Sequence, residues 1–170
     1  GGIHPFMNLH RIIDITYRIN FMNLRKALYD CYYFVMQRKK QEGGFSATSL
    51  LPATVEDTYH ALKIIKDMDK FGLAFDYKPD RDESLKSWLY QNMKWKEPKV
   101  FYQFLRICIF CNIEIKKEFL EQSMDFLVYG KITLERAFYL AKISELMNFQ
   151  MPYIKKLPAP KIAKDLYMYI

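Results

Sequence analysis

Glycine and proline are scarce, six and seven in 170 residues, so turns are few and the regular elements should be long. Cysteine is scarcer. Three thiols cannot build a disulfide framework, nothing else suggests export, and a reduced, cytoplasmic setting is expected. No apolar run reaches the roughly 18 residues that cross a bilayer; the strongest, Ile107 to Ile113, is far too short. A signal-peptide layout is missing as well, because Asp14 and Arg18 interrupt the apolar residues near the start. Gly1 to Phe6 is expected to precede a native start at Met7 and is set aside. Strand-like alternation is nearly absent, and no glycine-rich phosphate loop occurs.

What remains is rich in core-forming residues: 51% hydrophobic, 16% aromatic and 26% charged. Such a composition describes an ordered globular chain, and its length fits one domain over residues 1–170. The net charge of +7 raises the question of nucleic acid. Its basic residues, however, are spread along the chain. The densest clusters are Arg38-Lys39-Lys40 and Lys155-Lys156 with Lys161 and Lys164. The first falls where a helix should end and complements the helix dipole, so these cations read as solvated surface and nucleic acid is not expected as a partner.

Apolar residues recur at helical spacing. A first helix is expected over Leu9 to Ile19. A second runs from about Leu24 to Lys40, with Leu24, Ala27, Leu28, Cys31, Phe34 and Val35 along its inward stripe, and Gly43 supplies the left-handed geometry that stops it. Thr54, with Asp57 three residues on and Glu56 in the first turn, caps a helix running to about Phe71. Its inward set is Tyr59, Leu62, Ile65 and Met68. Asp80 and Glu83 stand at capping-box spacing ahead of a helix ending near Trp95. Pro98 opens the next, which reaches Asn112. Helices follow over Lys116 to Tyr129 and Thr133 to Phe149, separated by Gly130, and Lys161 to Tyr169 forms a short last one after Pro152, Pro158 and Pro160. Laid side by side, Tyr59-x-x-Leu62-Lys63-Ile64, Tyr102-x-x-Leu105-Arg106-Ile107 and Phe138-x-x-Ala141-Lys142-Ile143 make a weak internal repeat, with Thr54 and Glu56 matching Thr133 and Glu135. Their spacing, roughly 40 residues, is that of stacked helical hairpins.

The order helix, Gly43-Gly44-Phe45, loop, Pro52, Asp57-Thr58-Tyr59, Ala61-Leu62 resembles the repeat of protein prenyltransferase β subunits and of squalene/hopene cyclases. The resemblance covers Leu24 to Ile65; the later hairpins follow it by periodicity alone. It implies an all-α chain of stacked antiparallel helical hairpins forming part of an α/α toroid, and a concave aromatic face that receives an isoprenoid. On that face it implies ligand contacts from Phe45, Tyr59, His60, Tyr102 and Phe138. The acidic Asp-x-Asp-Asp run of the cyclases is missing, Asp80-Arg81-Asp82-Glu83 being better read as helix capping, and the Asp, Cys and His that bind zinc in protein prenyltransferases have no matching positions. Binding is therefore expected without visible catalytic machinery, cofactor or metal. A chain of this length makes an open arc, which self-association or a partner protein would complete. The competing reading is a non-enzymatic interaction scaffold.

Two residue sets could carry other chemistry. Cys108-Ile109-Phe110-Cys111 has redox or metal spacing, but a structural zinc site needs four ligands. Its setting reads as a buried helix in which cysteine is a small hydrophobe, and a metal site would need Cys31 and His60 to converge on the pair. His60 could be a general base, but no nucleophile or orienting carboxylate accompanies it in pattern, so it reads as a surface or partly buried histidine.

Overall fold

The computed structural model describes residues 5–93, 97–128 and 133–148, with side chains from residue 11 onward. Among these the chain is all-α, with six α-helices, one 3-10 turn and no strand. Tertiary contacts divide it into two compact units, residues 1–38 and 39–170.

The first unit is built on a single helix, α1, from Pro5 to Met36. The two helices expected over Leu9–Ile19 and Leu24–Lys40 are thus one. Asn20-Phe21-Met22-Asn23 holds neither glycine nor proline, and asparagine costs a helix interior only a few tenths of a kcal/mol, too little to break it. The helix also stops at Met36, short of Lys40. Of the stripe read as inward, Val35 is buried and Leu28 half-buried, while Leu24, Ala27, Cys31 and Phe34 are exposed. Helical periodicity shows that residues share a face and not that the face is covered.

The second unit holds α2 (Val55–Asp69), α3 (Glu83–Gln91), α4 (Pro98–Phe110), α5 (Lys117–Val128) and α6 (Leu134–Met147). Helix α4 packs against both α2 and α6, and α5 leans on α6. Their inward residues are almost wholly inaccessible, among them Leu62, Ile65, Leu89, Phe101, Leu105, Leu140 and Ile143.

The helix starts follow the capping chemistry of the sequence. Thr54 has extended backbone, and its hydroxyl oxygen accepts from Asp57 N at 3.0 Å. Thr133 does the same for Arg136 N at 3.2 Å. Tyr59, Leu62, Ile65 and Met68 are buried as expected. The third cap differs from expectation. Asp80 lies inside the 3-10 turn Pro79–Arg81, and Asp82, with extended backbone, caps α3 by accepting from Leu85 N at 3.1 Å. Two helix ends are set by left-handed asparagines. Asn112, at φ +54°, and the bond from Ile113 N to Cys108 O close α4 at Phe110 rather than Asn112. Asn148, at φ +49°, closes α6. Helix α3 stops at Gln91, ahead of Trp95. Trp95, Gly130, Phe149, the prolines from 152 to 160, the helix expected over Lys161–Tyr169 and the cluster Lys155-Lys156-Lys161-Lys164 lie outside the described residues.

Between residue 39 and α2 the glycine loop forms a clasp. Gly43 and Gly44 take φ values of +112° and +75°, a region that side chains strain to enter. Helix α3 also presses close. A Cβ on Gly43 would strike the backbone oxygen of Ser84 and stand 2.6 Å from Trp88 Cβ, and one on Gly44 would lie 2.9 Å from Ala53 Cβ. Phe45 follows, 1% exposed. Its N–H donates to Thr58 Oγ1 at 2.9 Å, its carbonyl accepts from Thr54 N at 3.1 Å, and its ring meets Tyr77 edge-on at 5.9 Å.

Asp82 ties the clasp to α3. Its carboxylate accepts from Ser84 Oγ (2.7 Å), Tyr77 Oη (2.8 Å) and Leu85 N, and pairs with Lys39 Nζ at 3.1 Å. Lys39 is thus held by an ion pair, and Lys40 Nζ donates to Ser49 O at 2.6 Å, so two cations of the basic cluster are structural. Burial pushes the Asp82 carboxyl upward, but the hydrogen bonds from Ser84, Leu85, Tyr77 and Lys39 outweigh it, and the acid is held below its ordinary 3.8. A carboxyl whose pKa is depressed on folding adds stability above its unfolded pKa and loses it as pH falls through the folded value. Replacing Asp82→Asn is therefore expected to lower stability at neutral pH and to flatten the loss of stability below about pH 4. Urea titrations at a series of pH values check this; equal slopes for the two proteins would refute it.

Candidate ligand-binding site

The repeat positions on α2, α4 and α6 meet at one strip. Tyr59 lies 6.4 Å from Tyr102, ring centre to ring centre, and Tyr102 lies 5.9 Å from Tyr139. His60 stands 5.1 Å from Tyr59, and Phe138 sits edge-on to Tyr139 at 5.2 Å. The structure thus brings Tyr59 and Tyr102 together, with Tyr139 in the place the repeat alignment assigns to Phe138, while the ring contacts of His60 and Phe138 are with their chain neighbours Tyr59 and Tyr139. One residue of offset turns a side chain about 100° around the helix axis, which is enough to exchange the two. Phe45 stays apart, enclosed in the clasp. Tyr59 is just buried, Tyr102, Phe138 and Tyr139 are half-buried, and His60 is exposed. Burial raises the Tyr59 and Tyr139 hydroxyl pKa values, so both stay neutral donors.

One turn before this row lies a charged one. Lys99 on α4 pairs with Glu56 on α2 at 2.9 Å. The Lys99 hydrogen bond holds the Glu56 carboxyl below its ordinary range, and Glu56 in turn raises the ammonium. Glu135 on α6 adds to the field at Lys99. The matching Glu56 and Glu135 of the sequence repeat therefore both act on one lysine between them.

A second feature was not legible as a site. A cavity of about 380 Å³ opens between α3, α4, α5 and the segment joining α4 to α5. Leu89, Met93, Phe104, Cys108, Ile113, Ile115 and Phe119 supply an apolar lining, while Tyr90, Glu114 and Lys116 add polar groups. Its size lies in the range of small-molecule sites, as does its mostly apolar wall with few polar groups. Phe104 and Cys108 are one turn apart on α4, a spacing that sequence reading could assign only to core. A more polar cavity of about 400 Å³ lies at the start of α2, beside Thr54, Glu56, Asp57, Trp88 and Asn92.

Cys108 and Cys111 are buried, and burial pushes both thiols up to about 12, the range of inert packing groups. Cys31 is exposed on α1. Among the described residues no three His, Cys, Asp or Glu side chains gather where they could hold a metal ion. Nor is any described helix long and apolar enough to cross a membrane. In the run Asp80-Arg81-Asp82-Glu83, Asp82 serves as a cap and ion-pair partner.

No family model, curated protein or solved structure matches the chain.

Proposed function

We propose that the chain is a prenyltransferase- or terpene-cyclase-like helical repeat protein that binds an isoprenoid or a similar hydrophobic small molecule. The observation that carries this reading is the apolar cavity of about 380 Å³ lined by Leu89, Phe104, Cys108 and Phe119. Glu114 and Lys116 would meet a polar head while the apolar wall takes the hydrocarbon. The glycine clasp and the shared aromatic row of α2, α4 and α6 support the repeat architecture, of which a partial α/α toroid is the proposed form.

Native mass spectrometry with farnesol, geranylgeraniol and their diphosphates tests this. The protein is expected to retain one of them, and Ile115→Trp, which fills the cavity from a half-buried position, should weaken retention about tenfold or more, a loss of about 1.4 kcal/mol. Retention unchanged by Ile115→Trp would remove the cavity from the proposal. The half-exposed strip around Tyr102 favours a second reading, a scaffold that docks a partner protein there. Tyr102→Ala separates the two, since it should spare lipid retention and abolish partner capture.

A further inference from the structure

The surface of α1 is a feature that neither reading uses. From residue 11 to residue 27 every residue of this helix is exposed, including Ile12, Ile13, Ile15, Ile19, Phe21 and Met22, each more than half open. A helix in water draws most of its stability from covering an apolar face, and a contiguous open patch of this kind usually marks an interaction site.

The apolar residues lie on two opposite stripes. One carries Leu24, Leu28 and Val35, of which Val35 is buried. The other carries Ile12, Ile15, Ile19 and Met22, spaced three, four and three residues apart, and it is open throughout. That spacing is a two-heptad coiled-coil seam, with isoleucine at both a positions and Ile15 and Met22 at d. The flanks are written in the same period. Arg11, Arg18 and Arg25 line one side at intervals of seven, and Thr16, Asn23 and Asp30 line the other.

We propose that this face pairs with a second copy of the chain, as a parallel, in-register coiled coil of α1. In that arrangement each flank residue faces the one five positions later on the opposite helix. Arg11 then meets Thr16, Arg18 meets Asn23 and Arg25 meets Asp30, three guanidinium donors against three oxygen acceptors. Thr16 remains able to accept, since its hydroxyl proton is already given to Ile12 O at 2.8 Å. An antiparallel pair would set the arginine row against itself. A lipid surface fits less well, because apolar residues on two opposite faces leave one of them in water. Four seam residues and the arginine stems cover roughly 500 Å² per partner, at the low end for protein interfaces, as suits a weak dimer.

Sedimentation equilibrium over about 1–300 µM should show the mass rise from that of the 20.4 kDa chain toward twice that value. Ile19→Glu, at an exposed position, should hold the chain monomeric with an unchanged circular-dichroism spectrum. Asp30→Arg alone should weaken the dimer about tenfold, and Arg25→Asp combined with Asp30→Arg should restore it. With Ile19→Cys in a background lacking Cys31, oxidation should give a disulfide dimer only in the parallel register. A monomer at every concentration, a dimer indifferent to Ile19→Glu, no rescue by the charge exchange, or binding of monomer to anionic vesicles in place of pairing would each overturn the proposal. Lipid retention in the cavity is read separately, so failure of one proposal does not imply failure of the other.

Discussion

Gly43→Ala is expected to cost about 2–6 kcal/mol, a large part of the 5–15 kcal/mol that holds a domain folded. Two separate costs add. Alanine at φ +112° is strained by about 1–3 kcal/mol wherever it stands. The new methyl must also displace the Ser84 backbone oxygen and Trp88 Cβ, and overpacking of this kind costs about 1–3 kcal/mol more. Because a backbone carbonyl on α3 cannot swing aside as a long side chain could, relief requires moving the helix. Gly72→Ala is the internal control. It shares a positive φ, +72°, but its Cβ would meet nothing within 4 Å, so only the strain remains. Urea unfolding of the two variants should differ by at least about 1 kcal/mol, with Gly43→Ala the worse. Equal losses would mean that α3 does not bear on the loop.

Phe101→Ala is expected to cost about 3–5 kcal/mol, because it removes a large ring from the middle of α4 and leaves a void. Phe101 is wholly inaccessible. Its ring lies nearly parallel to Phe104 at 6.3 Å and tilted against Phe119 at 6.1 Å, so one side chain joins α4 to α5. Ile109, on the same helix but 47% exposed, should lose well under half as much on truncation to alanine. Thermal unfolding followed at 222 nm would compare the pair, and similar losses would place Phe101 outside the core.

Reading from sequence succeeded where the determinants are local. Thr54 and Thr133 cap their helices because a hydroxyl reaches an N–H three residues on, whatever the rest of the chain does. Pro98 opens α4 for a similarly local reason. It failed where a choice between two local options is made from a distance. Asp80 and Asp82 are both acceptable caps, and Asp82 prevails in a structure where Lys39, distant in sequence from both, joins the nearby Tyr77 on it. The break expected between Leu9–Ile19 and Leu24–Lys40 had no glycine or proline to enforce it, so α1 runs through.

The candidate site divides along the same line. The aromatic positions Tyr59, Tyr102 and Phe138 were visible as a period, whereas the substitution of Tyr139 for Phe138 at the contact depends on how α6 is rotated against α4. The cavity was invisible, because Leu89, Phe104, Cys108 and Phe119 look like any core residues until α3, α4 and α5 are brought together around it.

By itself, then, the amino-acid order determined the helical class and most helix starts, since each rests on the conformational reach of a few neighbouring residues. Tertiary structure alone decided which apolar faces are covered, which carboxylate caps α3, and where an empty space remains, because burial is a property of pairs of elements brought together from afar.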